Sequence, residues 1–145
     1  LSIKYNKLII ADPKKNDLSL YSNINLITPN QKEINDSAKK KLLNEKDIIS
    51  FSKKMIKKYN IGCILATRSE KGMILINKNY VKKVKANAKK VIDVTGAGDT
   101  VISVIALMLA LGFNKTDSSI ISNYAAGKVI GKTGTATITF KELIT

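Results

Sequence analysis

Between Asn60 and Thr67 the chain reads Ile-Gly-Cys-Ile-Leu-Ala, a run without one polar side chain. A strand exposed on one face alternates apolar and polar residues. A run without alternation marks a strand covered on both faces, the usual state inside a parallel sheet wrapped by helices. The flanking segments agree. In Glu45 to Tyr59 the residues Ile48, Phe51, Met55 and Tyr59 recur every three or four positions with lysines opposite, which predicts a helix whose apolar stripe packs on a core. Upstream, Lys7 to Ala11 and Ile24 to Thr28 read as short strands, the first ending in Asp12-Pro13-Lys14 and the second at Pro29-Asn30. From Gln31 onward, Ile34, Ala38 and Leu42 have helical spacing. Downstream, Gly72 to Ile76 and Tyr80 to Lys85 form an expected hairpin about Asn77-Lys78-Asn79. A helix from Thr100 to Leu111, closed by Gly112, precedes a second from about Asp117 to Ile130, and Ala136 to Phe140 reads as a last strand. This alternation predicts an α/β fold with a largely parallel sheet. At 145 residues the chain has room for one sizeable core, hiding roughly 70% of its unfolded surface, so residues 1–145 are read as one domain.

Composition removes several classes of function. With no histidine and one cysteine, Cys63, the chain offers no zinc cage, Ser-His-Asp triad or Cys-His pair. Cys63 lies in the apolar run, so a buried, reduced thiol and a cytoplasmic setting are expected. No secretory leader is read at the start, and the longest apolar run, Val101 to Leu111, is about half of the ~20 residues a membrane-spanning helix needs. The net charge of +14 attracts anions at long range. Its lysines are nevertheless scattered, as at Lys39 to Lys41, Lys53-Lys54 and Lys57-Lys58, and Arg68 is the one arginine in a chain without Trp. Specific nucleic-acid surfaces use arginine forks and stacked aromatics; neither a nucleic acid nor a membrane is expected as partner.

The chemistry concentrates in Asp93-Val94-Thr95-Gly96-Ala97-Gly98-Asp99-Thr100. This is a turn of small residues feeding a helix. Gly96 and Gly98 tolerate unusual backbone angles and let a ligand approach the main chain closely. The unpaired N–H groups of the helix start, aligned with its dipole, favour an anion. Asp99 adds a carboxylate in the first turn. An anion hole beside a carboxylate base suits phosphoryl transfer, where charge grows on the moving group while a hydroxyl loses its proton. Neither G-x-G-x-x-G nor G-x-x-x-x-G-K-[ST] occurs, so this is neither a dinucleotide fingerprint nor a Walker A loop. Taken alone, the octet fits a close-packed, capped helix start equally well.

The octet resembles the second signature of the ribokinase-type (PfkB) carbohydrate kinases, D-[TV]-T-G-A-G-D-[TS]. The resemblance extends in order along the chain. Thr28-Pro29-Asn30-Gln31-Lys32-Glu33 is similar to the family's T-P-N-x-x-E segment, and Ala66-Thr67-Arg68-Ser69-Glu70-Lys71-Gly72 to the strand and turn that approach the nucleotide phosphates. Ala11-Asp12-Pro13-Lys14, Thr67 to Met73, and Asn123 to Thr135 with its Gly131-Lys132-Thr133-Gly134-Thr135 resemble the heptose 7-phosphate kinase part of bifunctional bacterial ADP-heptose synthases, in the C-terminal half of that domain.

The resemblance implies a ribokinase-like three-layer α/β fold, C-terminal half only, and an ATP-dependent sugar kinase acting on O1 of the heptose phosphate. It makes Asp99 the base that takes the proton of the sugar hydroxyl, and the amides of Gly96, Ala97 and Gly98 the anion hole. Asn30 and Glu33 match positions that organise Mg2+ through water and the phosphates, Asp93 and the Thr95 carbonyl those that hold a monovalent cation such as K+. Thr67 and Arg68 would approach the phosphates, Asn123 the adenine, and Lys14 the sugar phosphate. Simpler readings stay open: Glu33 as a first-turn helix acid, Asp93 as a turn cap, and Arg68 and Lys14 as solvated basic side chains. The family's lid and most of its sugar contacts are not matched, so the expected partners are ATP, a sugar phosphate, and a second copy or the N-terminal half of the kinase. A kinase for another sugar, or an inactive nucleotide-binding module docked on a partner chain, are the alternatives.

Overall fold

The computed structural model describes residues 4–5, 7–87 and 91–144. Five strands, β1 (Ile10–Ala11), β2 (Leu26–Ile27), β3 (Cys63–Thr67), β4 (Met73–Asn77) and β5 (Val81–Val84), follow one another in a sheet in chain order. β1 runs parallel to β2, with Ile10 beside Leu26, and β2 parallel to β3, with Ile27 beside Ile64. The connections into β4 and β5 are too short for a crossover, so these strands turn back on their neighbours. Asn77 shapes the second turn, its side-chain oxygen accepting the Asn79 and Tyr80 N–H groups at 2.8 and 2.7 Å. The helices are α1 (Gln31–Ala38), α2 (Glu45–Tyr59), α3 (Ala97–Ala110), α4 (Lys115–Val129) and α5 (Phe140–Ile144).

The chain divides into two compact units, one of Leu1–Thr67 with Ile74–Lys82 and the other of Arg68–Met73 with Lys83–Thr145. In the first, α1 and α2 lay Ile34, Ile48, Met55 and Ile56 against Ile27, Ile64, Ala66, Ile74 and Ile76 of the sheet. Phe51 and Tyr59 flank this core, so the predicted α2 stripe packs as its spacing requires. Cys63 is fully buried, its thiol donating to the Ile76 carbonyl at 3.1 Å. In the second unit α3 and α4 pack on each other through Val104, Met108 and Ala125, with Ile121, Ile138 and Leu143 around them.

Three expectations change. The spacing from Gln31 ran on to Leu42, but α1 stops at Ala38 because Lys39 adopts the left-handed conformation at φ 53°. The Asn35 side chain then accepts the Leu42 N–H at 3.0 Å, and Leu42 enters the core from a loop. The strand expected at Ala136 to Phe140 is absent: 136–139 carries no ladder, and Phe140 opens α5. Thr139 and Glu142 explain this, since the Thr139 N–H and hydroxyl both donate to Glu142 Oε2 at 2.9 Å while the Glu142 N–H donates back to Thr139 Oγ1. That reciprocal pair is a helix-starting capping box. The first two strands are also shorter than Lys7 to Ala11 and Ile24 to Thr28, with two paired residues each.

Candidate active site

In the first unit the parallel strands β1, β2 and β3 end on the same side, where open α/β sheets bind ligands. Three short connections gather there. The Thr28 N–H donates to the Ala11 carbonyl at 3.1 Å and its hydroxyl to Asp12 Oδ1 at 3.3 Å. The Thr67 N–H donates to the Pro29 carbonyl at 2.9 Å, and Asn30 forms a parallel bridge with Thr67. Asn30 and Thr67, both candidate phosphate contacts, are therefore neighbours. Asn30 is also the N-cap of α1, accepting the Glu33 N–H at 2.9 Å, while Glu33 Oε2 accepts the Asn30 N–H at 2.7 Å. Lys14 is a solvated side chain paired with Asp12 at 2.5 Å, its own N–H donating to the Tyr21 hydroxyl at 3.0 Å. Asp12 and Thr28 lie in stretches recognised from the sequence but were given no role of their own; their position directly after strands is the signal that could have marked them.

In the second unit the octet folds as a loop leading into α3. Gly96 is the N-cap, in the left-handed conformation at φ 80°. The helices α1, α2 and α4 each have an asparagine side chain over the first-turn amides, Asn30, Asn44 and Asn114, whereas α3 has no side-chain cap. The Ala97 N–H is turned to the Val94 carbonyl at 3.2 Å, and the helical ladder begins with Thr100 N–H on Gly96 at 2.9 Å. The amides between them are those of Gly98 and Asp99, and a Cβ on Gly98 would meet nothing within 4 Å. Asp99 is exposed in the first turn of the same helix.

Asp93 anchors this loop. Its Oδ1 accepts the Thr95 N–H at 2.9 Å and its Oδ2 the Gly134 N–H at 3.1 Å. The Thr95 hydroxyl and amide, with the Gly134 amide, hold the Asp93 carboxyl below its usual value. The Ile92 and Asp93 N–H groups share the Ile130 carbonyl at 2.8 and 3.2 Å, and Thr135 Cγ2 lies 3.8 Å from where a Cβ on Gly96 would stand. The segment after α4 is thus the wall of the octet. At its far end Lys132 Nζ meets Glu142 Oε1 at 2.7 Å and donates to the Thr137 carbonyl at 2.7 Å. Lys132, with the Thr139 amide and hydroxyl, holds the Glu142 carboxyl down at about 2.

Arg68 is buried, at 8% exposure, which removes the reading of a solvated basic side chain. It opens a tight turn in which its N–H donates to the Gly72 carbonyl at 2.9 Å. Gly72 has no alternative residue: at φ 75°, an added Cβ would stand 2.1 Å from the Val84 carbonyl oxygen and 2.6 Å from the Ala86 nitrogen.

The same unit holds a cleft of about 540 Å³ lined by Val84, Lys85, Ala86 and Asn87 on one side and Ile120, Ile121, Asn123, Tyr124 and Leu143 on the other. Asn123 lines it and holds its walls together, its Nδ2 donating to the Lys85 carbonyl at 2.8 Å. The other walls carry no sequence signature, because apolar positions at the end of a strand and on a helix read as core. Among the described residues no three His, Cys, Asp or Glu side chains converge.

The profile of the pfkB family carbohydrate kinases matches residues 4–142. The chain belongs to the pfkB family. It is 41% identical over 138 residues to the bifunctional protein HldE of Shewanella baltica (strain OS185), covering 94% of this chain and 29% of HldE. The fold matches Thermotoga maritima ribokinase with a TM-score of 0.83 at 23% identity, over 99% of this chain and 50% of that one. It matches the phosphofructokinase-2 of Escherichia coli in complex with potassium with a TM-score of 0.88 at 19% identity, over 99% of this chain and 47% of that one. The fold of this pfkB chain is therefore ribokinase-like α/β, and the chain spans less than a third of its curated relative and about half of each solved kinase. No helix among the described residues is long and apolar enough to cross a membrane.

Proposed function

We propose that this chain is the nucleotide and catalytic part of an ATP-dependent sugar kinase that phosphorylates O1 of heptose 7-phosphate in the cytoplasm. The observation that carries the reading is the start of α3: an uncapped helix N-terminus opened by left-handed Gly96, with Asp99 exposed in its first turn. In this reading the adenine occupies the cleft beside Asn123 and Tyr124, and the γ-phosphate meets the Gly98 and Asp99 amides. Asp99 takes the proton of the sugar hydroxyl as its oxygen attacks the γ-phosphorus. The bond from phosphorus to the bridging oxygen of ADP breaks, and the charge growing on the transferred group falls at the positive end of the α3 dipole.

Asn30, Glu33 and Thr67 are assigned to the phosphate and Mg2+ side, where the ion supplies neutralisation of phosphate charge. Buried Arg68 is assigned to the same side, and Lys14, paired with Asp12, to the sugar phosphate. Asp93 and the Thr95 carbonyl are assigned to a K+ ion that firms the loop, the donor type such an ion takes; the potassium complex of the phosphofructokinase supports this. The HldE likeness favours heptose phosphate over other sugars. Remaining sugar contacts are assigned to the part of the kinase that this chain does not match, or to a second copy.

The test is ADP release with Mg-ATP, K+ and heptose 7-phosphate, beside Asp99→Asn. Loss of a general base lowers the rate about 10²- to 10⁴-fold, so turnover that needs the sugar and disappears in Asp99→Asn is the expected result. Turnover retained by Asp99→Asn refutes the base assignment. Saturable ATP binding without turnover identifies a nucleotide half-site instead.

A further inference from the structure

The segment that follows α4 meets the octet loop at three points, through the Ile130 carbonyl that the Ile92 and Asp93 N–H groups share, the Gly134 N–H on Asp93, and Thr135 beside Gly96. Gly134 sits at φ 70°, and a loop turning on glycine has many conformations to lose before it can serve as a fixed wall. One side chain closes it. Lys132 Nζ spans the loop to donate to the Thr137 carbonyl at 2.7 Å and pairs with Glu142 at 2.7 Å. Glu142 is fixed by its other oxygen, which accepts the Thr139 N–H and hydroxyl at 2.9 Å each.

We propose that Lys132 is a positioning residue for phosphoryl transfer: by clamping the loop to Thr137 and Glu142 it holds Gly134 and Thr135 against Asp93 and Gly96. It thereby sets where the Gly98 and Asp99 amides stand. The inference rests on the phosphoryl-transfer reading above and assigns its geometry to a residue that need not touch any reactant. Two magnitudes set the expectation. Lys132 and Glu142 are each about a third exposed, at 34% and 37%, and ion pairs of that kind add little to global stability. A misplacement of about 1 Å at a phosphoryl-transfer site costs up to about 100-fold. The clamp therefore acts on the phosphate end of the site far more than on the fold.

The experiment is calorimetric binding of Mg-ATP and of adenosine to the whole chain and to Lys132→Ala, Glu142→Gln and Lys132→Arg, with melting curves for each. Adenosine fills the cleft but brings no phosphate. Expected is a preference for ATP over adenosine that falls about 10-fold in Lys132→Ala and Glu142→Gln, as for one hydrogen bond to a charged group lost, at adenosine affinity within about twofold of the parent, and that Lys132→Arg retains. Glu142→Gln keeps the helix cap and removes only the charge. Variants that keep the parent's preference overturn the clamp and leave the phosphoryl-transfer reading intact. Equal loss of ATP and adenosine binding with a lowered melting point also overturns it, by showing a general structural role. A parent chain without preference for ATP overturns the reading itself and the clamp with it.

Discussion

Asp93 and Gly134 are 41 residues apart in sequence and joined in space, the carboxylate Oδ2 accepting the Gly134 N–H at 3.1 Å. Because Oδ1 accepts the Thr95 N–H at 2.9 Å, one side chain ties the start of the octet to the wall behind it. Replacing it by Asn keeps one acceptor and swaps the other for a donor facing a donor, which breaks the link on one side.

The pH dependence of that link has a definite sign. The Asp93 carboxyl lies below its ordinary 3.8, through Thr95 foremost and Gly134 last. A depressed acid stabilises the folded state fully above the unfolded value and loses that contribution as pH falls through the folded one. The Thr95 and Gly134 amide resonances are therefore expected to shift on acidification with a midpoint below 3.8. A midpoint at or above 3.8 in an NMR titration shows that these bonds are not made in solution.

Two glycines separate fold from function. Gly72→Ala places a Cβ 2.1 Å from the Val84 oxygen at a positive φ; the expected outcome is a loss of about 3 kcal/mol or more, read by urea denaturation, or failure to fold. Gly98→Ala meets nothing within 4 Å and sits in the first turn of α3, where alanine gains up to about 1 kcal/mol over glycine. Its melting point should hold or rise while ATP binding weakens, since the new methyl occupies the space assigned to phosphate. Gly98→Ala with full ATP affinity excludes that space as the anion hole.

What the sequence displayed and what it hid follow from the range of the interactions. Local periodicity sufficed for α2, because a 15-residue amphipathic stripe has one way to pack. The turn into α3 was legible because Gly96 and the helix start need only neighbours in sequence, whereas the role given to the octet came from its resemblance to the family signature. The α1 boundary and the missing last strand were decided by single side chains, Asn35 on Leu42 and Thr139 with Glu142. Such bonds have no periodic trace. Gly134 and Lys132 stood in a recognised stretch, yet nothing in their spacing placed Gly134 on Asp93 or Lys132 on Glu142. The cleft walls were invisible for a different reason, since Val84, Ile120 and Leu143 look like any core residues until the chain folds around an opening.

Ser52 offers a test of the core alone. It is 1% exposed on α2, and its hydroxyl oxygen has no hydrogen-bond partner. A buried, unsatisfied hydroxyl costs about 1–3 kcal/mol, and alanine is the better helix former. Ser52→Ala is expected to stabilise the chain by about 1 kcal/mol in chemical denaturation without altering ATP binding. A destabilised Ser52→Ala reveals a partner that the hydroxyl finds in solution.

Asn30 and Glu33 carry two assignments at once, a helix cap and a place on the Mg2+ side, and substitution pulls these apart. Asn30→Ala removes the acceptor of the Glu33 N–H, so it should lower stability by about 1 kcal/mol whatever the ligand does. Glu33→Gln preserves an oxygen for the Asn30 N–H and so preserves the capping box. It removes the negative charge on which a divalent cation depends. If Glu33 serves the cap alone, Glu33→Gln melts like the parent and binds Mg-ATP like the parent. If Glu33 organises the metal, melting stays within about 2 °C of the parent, a shift small beside the several degrees that 1 kcal/mol produces in a domain of this size. The dependence of ATP binding on Mg2+ concentration then moves to higher Mg2+, while binding measured without Mg2+ stays unchanged. The second pattern is the expected one, because Asn30 is bridged to Thr67 at the end of the parallel strands and the capping box holds Glu33 beside it.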